Sequence, residues 1–174
     1  MIRRRPLIAA TVAAASMLAF VAGPSGADET TITVTIAGGN LTIDAPDTVT
    51  GSGAVNSVVT VDVPSVAIAD ERGSLLGWTA TASATDLTTG GGDETGETIL
   101  AASLLWGTDS ITPHDEQAAI SLPAGGSLGV SSVIAVGAPL LSPGAFTVDG
   151  AITVPVPVTA RAGEYTGTLT TTIS

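Results

Sequence analysis

The chemistry-bearing side chains of this chain are few and poorly grouped. Its only histidine, His114, stands beside Asp115 and Glu116 in a polar run. One imidazole and two adjacent carboxylates do not complete a transition-metal site, and no cysteine exists to help them. The cluster reads as a solvated loop. Asp93, Glu94 and Glu97 follow Gly90-Gly91-Gly92. Their oxygens could serve Ca²⁺, but EF-hand spacing is absent. The glycines are no phosphate cradle either, because no lysine completes one. Nucleophilic catalysis lacks a cysteine or lysine and a Gly-x-Ser-x-Gly elbow. A carboxylate pair for glycoside hydrolysis is the one enzymatic alternative, although such clefts are lined with aromatics and this chain has five. The expectation is a protein without catalytic residues, cofactor or metal.

Two groups are better suited to binding. Arg72 follows Asp70 and Glu71 at a turn, where it either pairs with a carboxylate to hold the turn or clamps a ligand. Trp78 opens a run in which Ala80, Ala82 and Ala84 share its face. Small neighbours let an indole lie across them as a packing residue. Its alternative is a ring exposed for stacking on a sugar.

The elements that must position these residues are strands. Ile32, Val34 and Ile36 alternate with threonines, Val59, Val61 and Val63 with Val58, Thr60 and Asp62, and Trp78 to Ala84 with Thr79, Thr81, Ser83 and Thr85. Tyr165, Leu169 and Ile173 share a face opposite Thr166, Thr168, Thr170 and Thr172. Turn residues separate the runs, at Ala37-Gly38-Gly39-Asn40, Ala45-Pro46-Asp47, Gly51-Ser52-Gly53, Pro123-Ala124-Gly125-Gly126 and Ser142-Pro143-Gly144. Ile99 to Trp106 fits a short helix or a strand. Pro155 and Pro157 around Val156 predict an edge, since proline cannot donate to a ladder. Short strands with regular turns predict an all-β antiparallel sandwich, immunoglobulin-like or similar.

The first 27 residues predict an export signal. Met1 to Arg5 is basic, Leu7 to Val21 is uncharged and apolar, and Ser25-Gly26-Ala27 supplies small residues for cleavage. The expected mature domain, residues 28–174, keeps two cations, Arg72 and Arg161, against sixteen acidic residues, a net charge of −14. That excludes counterion-release binding to nucleic acid and disfavours anionic lipid. Membrane insertion is not expected, because no mature segment is long and apolar enough. Without disulfides, stability must come from packing.

One stretch is more specific. Asp70-Glu71-Arg72-Gly73 precedes Gly77-Trp78, and Tyr165-Thr166-Gly167 leads into a final strand ending at Ser174. With Leu41-Thr42-Ile43, the valine-rich strand and the glycine-rich loop in the same order, the chain resembles the WxL domain of Gram-positive surface proteins. The first motif here is Trp78-Thr79-Ala80 and the second Thr171-Thr172-Ile173, so one tryptophan of two is present. The resemblance implies a secreted, wall-associated protein held non-covalently to peptidoglycan or to co-exported surface proteins. Trp78, Arg72, Asp70 and Tyr165 are its expected binding residues. A rival expectation is a structural subunit that assembles by edge-strand pairing through Ile32–Ile36 or Leu169–Ile173.

Overall fold

The computed structural model describes residues 31–114 and 120–174. The expected signal, residues 1–27, and two members of the polar run, Asp115 and Glu116, lie outside the described residues. The chain divides into two compact units, Met1–Thr35 and Ile36–Ser174. In the first, residues 31–35 form no strand. The second carries every named element: β1 Leu41–Asp44, β2 Val58–Asp70, β3 Trp78–Ala84, β4 Leu87–Thr88, β5 Thr98–Ile99, a 3₁₀ turn Ala101–Ser103, β6 Leu105–Pro113, β7 Ile120–Ser121, β8 Gly126–Ser127, β9 Ser132–Gly137, β10 Gly144–Pro155 and β11 Leu169–Ile173.

The fold is an all-β antiparallel sandwich. One sheet has the order β1-β2-β10-β6-β8, the other β11-β3-β9-β7, and β4-β5 forms a small separate ribbon. Alternation in the strands decides which side chains meet between the layers. Val63, Val66 and Ile68 of β2 and Phe146, Val148, Ile152 and Val154 of β10 face inward from the first sheet. Trp78, Ala80 and Ala82 of β3 and Ile134 and Ala135 of β9 face inward from the second. Each such branched or aromatic side chain contributes about 1.5–3 kcal/mol on leaving water. Among the described residues no helix is long and apolar enough to cross a membrane.

The long central pair, β2 and β10, accommodates an internal proline by a bulge. Register shifts between Val148 and Gly150, opposite Pro64 and Ser65. There Ser65 has φ 58°, and its N–H donates to Asp149 Oδ1 at 2.9 Å. The missing Pro64 donor therefore costs no ladder bond.

Three expectations need correction. Ile32 to Ile36 does not form a strand: it alternates as a strand would, yet among the described residues no neighbour pairs with it. The Pro155-Val156-Pro157 segment does not belong to an edge strand, because β10 runs between β2 and β6; only past Thr153, where β6 stops pairing, is its neighbour β2 alone. The prolines end a central strand instead of blunting an outer one. Ile99 to Trp106 is neither one helix nor one strand but the end of β5, the 3₁₀ turn and the start of β6.

Candidate functional site

At one end of the sandwich, where β2 stops and β3 begins, three of the four expected site residues come together. Asp70 and Arg72 form a two-point ion pair, Nε to Oδ1 and a second guanidinium N–H to Oδ2, each at 2.9 Å. The Asp70 side chain is 1% exposed and that of Arg72 25%. The Arg72 side-chain hydrogen bonds hold the Asp70 carboxyl below its ordinary range, against the opposing effect of burial. The same guanidinium donates to the carbonyls of Leu76 and Gly77, both at 3.2 Å. Arg72 therefore organises the turn from residue 72 to 77, the turn-holding alternative, through its Nε and Nη2 donors.

Trp78 sits behind that turn, 3% exposed. Its Nε1–H donates to the Ser142 carbonyl at 3.0 Å, and its ring meets Phe146 at a centroid distance of 5.6 Å and a tilt of 54°. A Cβ on Gly137 would overlap the indole, so glycine there is what makes room for the ring against β9. A ring enclosed on these sides has no face free for a sugar. That corrects the exposed-ring expectation for Trp78 and removes Asp70 from the surface as well.

Tyr165 is not part of this group. It lies in the approach to β11, beyond the far end of β3, and about 20 Å separates the ends of a seven-residue strand. Its hydroxyl donates to the Gly96 carbonyl and accepts the Arg161 N–H at 3.0 Å. Arg161 in turn pairs with Glu97, at 2.9 Å, and with Glu94. These contacts tie the glycine-rich loop to the segment before β11. Two acids that could have served Ca²⁺ are thus engaged by a cation. His114 Nε2 lies 2.8 Å from Thr147 Oγ1 on the neighbouring strand.

Beside this clamp the two layers separate. A cleft of about 820 Å³ opens between Val59, Val61 and Val63 of β2, Val154 of β10 and the Ala84–Leu87 corner, with Leu169 of β11 at its side. That volume is typical of sites that enclose a ligand or a chain segment. Its sheet-side walls are aliphatic, and Asp47, Thr48, Arg161, Glu164 and Tyr165 also line it.

The sequence reading missed a feature at the first end. Leu75 and Leu76 in the Arg72 turn are 58% and 67% exposed, and Leu140 and Leu141 in the β9–β10 loop are 65% and 53% exposed. A Leu140 N–H to Leu75 carbonyl bond of 2.9 Å joins the two loops, so the four exposed leucines sit on adjoining turns at one end of the sandwich. Leu140 holds φ 73°, a left-handed conformation unusual for leucine. The signal was available: adjacent leucines within segments of Gly, Ser and Pro break both alternation and the polarity of turns. No family model, curated protein or solved structure compared with the chain matches it.

Proposed function

We propose that this protein is an exported, non-enzymatic surface module that docks on another exported protein through its leucine-tipped end. The reading takes its surface setting from the WxL resemblance and replaces glycan stacking by apolar contact. One observation carries it: Trp78, Trp106 and Phe146 are all buried, while four leucines on two hydrogen-bonded loops are exposed. Contiguous apolar surface on loops marks an interaction site, whereas a sugar platform needs accessible rings. The strongly acidic composition points the same way. Contact with an anionic polymer or lipid surface would be repulsive, and an apolar protein face is not.

The Arg72 turn has a supporting role. By holding the carbonyls of Leu76 and Gly77 it fixes one leucine pair against the other, so the surface is ordered before a partner arrives. Photo-crosslinking from positions 76 and 140 in the producing cell tests the reading. A discrete adduct with one exported protein, lost when all four leucines become serine, is expected. Undiminished retention of the serine variant on protein-free wall, with no adduct from either position, overturns it.

A further inference from the structure

We infer that the cleft at the other end of the sandwich receives the segment Thr31–Ile36 of a second copy as an added strand, so that copies join head to tail. This contact uses different residues from the leucine surface and does not depend on it.

The acceptor is an incomplete sheet. β1 pairs with β2 over Ala67–Asp70 only. On that side Val58–Val66 has no strand partner among the described residues, although β10 covers the other side over almost the whole length. The chain that follows β1, from Ala45 to Val55, passes the gap without forming a strand. Gly51 and Gly53 lie on the side chains of Val59 and Val61, and a Cβ at either glycine would overlap them. Ala45 and Val49 of this cover pack against the core, but it holds no ladder, so a strand that displaces it replaces apolar contact and adds main-chain hydrogen bonds.

The donor has the matching pattern. Ile32, Val34 and Ile36 are 85%, 75% and 88% exposed, which leaves three large β-branched side chains in water. They alternate with Thr31, Thr33 and Thr35 as Val59, Val61 and Val63 alternate with Val58, Thr60 and Asp62. Placed beside β2, the donor sends its apolar side chains into the aliphatic cleft and its threonines to the face that carries Thr60. Six residues match the six of Val58–Val63, and the donor is uncharged, so it approaches an acidic domain without repulsion.

Reach selects the second copy. The chain enters the sandwich at Gly38–Asn40, where Gly39 N–H donates to the Glu71 carbonyl at 2.6 Å and Glu71 N–H to that of Asn40 at 2.9 Å. Seven extended residues span about 24 Å. Val63 to Val58 lie roughly 26–43 Å from Glu71 along β2. A chain's own segment therefore falls short of its own gap. Because entry point and gap are at opposite ends, each added copy presents a new gap, and the assembly is an open filament.

The exported chain, residues 28–174, tests this directly by light scattering across a concentration series, with circular dichroism in parallel. Oligomers that lengthen with concentration are expected, and Val34→Asp should return them to monomer with an unchanged spectrum. The natural absence of cysteine permits a second readout. Thr33→Cys chains mixed with chains carrying Val58→Cys, Thr60→Cys or Asp62→Cys should form an intermolecular disulfide at one of the three positions. Its yield should exceed that with the exposed control Ser131→Cys by about tenfold or more. A monomer at every concentration, an oligomer that survives Val34→Asp, or disulfide yields no better than the control each overturn the inference. None of these variants touches the leucine surface, so crosslinking to a heterologous partner can succeed or fail separately.

Discussion

The two ends of this sandwich are built from the same alternating strands and come out differently. At the Trp78 end the layers are jammed. An indole and a phenyl ring meet at 5.6 Å, Gly137 leaves no space for a Cβ, and the Asp70–Arg72 pair closes the turn above them. At the Val61 end a cleft of about 820 Å³ stays open, walled largely by valine, alanine and leucine with Asp47, Arg161 and Tyr165 among its other lining residues. The difference teaches what a low aromatic content does to a disulfide-free sandwich. Large rings at one end fill the space between the sheets there. At the other end Trp106, level with Val61 across Ile152, fills part of it, and the small side chains of Val59, Val61 and the covering segment leave the rest open. Stability is thus concentrated at the end whose surface carries the leucines, and adaptability at the end that is unfinished.

The comparison breaks first on Trp78. Trp78→Ala removes a buried ring, its partner Phe146's packing and the Ser142 bond, and should cost about 3–5 kcal/mol. For a chain of this size that is a fall in Tm of roughly 10 °C. A loss of less than about 1 kcal/mol in urea titration would mean the end is not close-packed. Val61→Ala at the open end should cost about 1 kcal/mol or less, because it enlarges space already open to water and leaves no sealed cavity. Equal losses for the two variants would erase the contrast.

Acid should act on the jammed end. The Asp70 carboxyl is lowered in the folded protein, chiefly by the Arg72 side-chain hydrogen bonds. Its stabilisation is therefore complete above the ordinary aspartate value of about 3.9 and is lost as pH falls from there through the lowered native value. Urea midpoints measured from pH 5 to pH 2 should decline in that window. Asp70→Asn should start lower at pH 5 and decline less. Parallel acid limbs for wild type and variant would show that other carboxylates dominate.

Much of this contrast was legible in the chain, and the limits are physical. β1, β2 and β3 were readable because period two forces alternate side chains onto one face, and a buried face selects Val, Ile and Ala. The turn-holding role of Arg72 was readable because an arginine two residues from an aspartate finds it locally. Pairing was not readable. Ile32 to Ile36 has the same alternation as β2, but a strand exists only where a neighbour takes its hydrogen bonds, and alternation does not say who that is. Tyr165 has the parity of Leu169 and Ile173, yet it precedes β11, and its hydroxyl anchors the Gly96 loop instead. Which end Trp78 occupies, and whether that end is closed, depends on Gly137 and Ser142, more than fifty residues away in the chain.

The smallest expected effect is also the most specific to the proposed docking surface. Leu140 holds φ 73° without a glycine's freedom, and a left-handed leucine costs about 1–2 kcal/mol of backbone strain. Glycine at that position removes the strain but adds entropy to the unfolded chain, of about 0.5–1 kcal/mol. Leu140→Gly should therefore be neutral or stabilising by about 1 kcal/mol at most. If the strain exists only for packing, the variant loses stability and nothing else. If the strained leucine is kept for its exposed side chain, the variant folds as well as the wild type and binds its partner less tightly. Thermal unfolding and crosslinking yield from position 76, measured on the same variant, separate the two: a destabilised variant with an unchanged yield would return Leu140 to architecture.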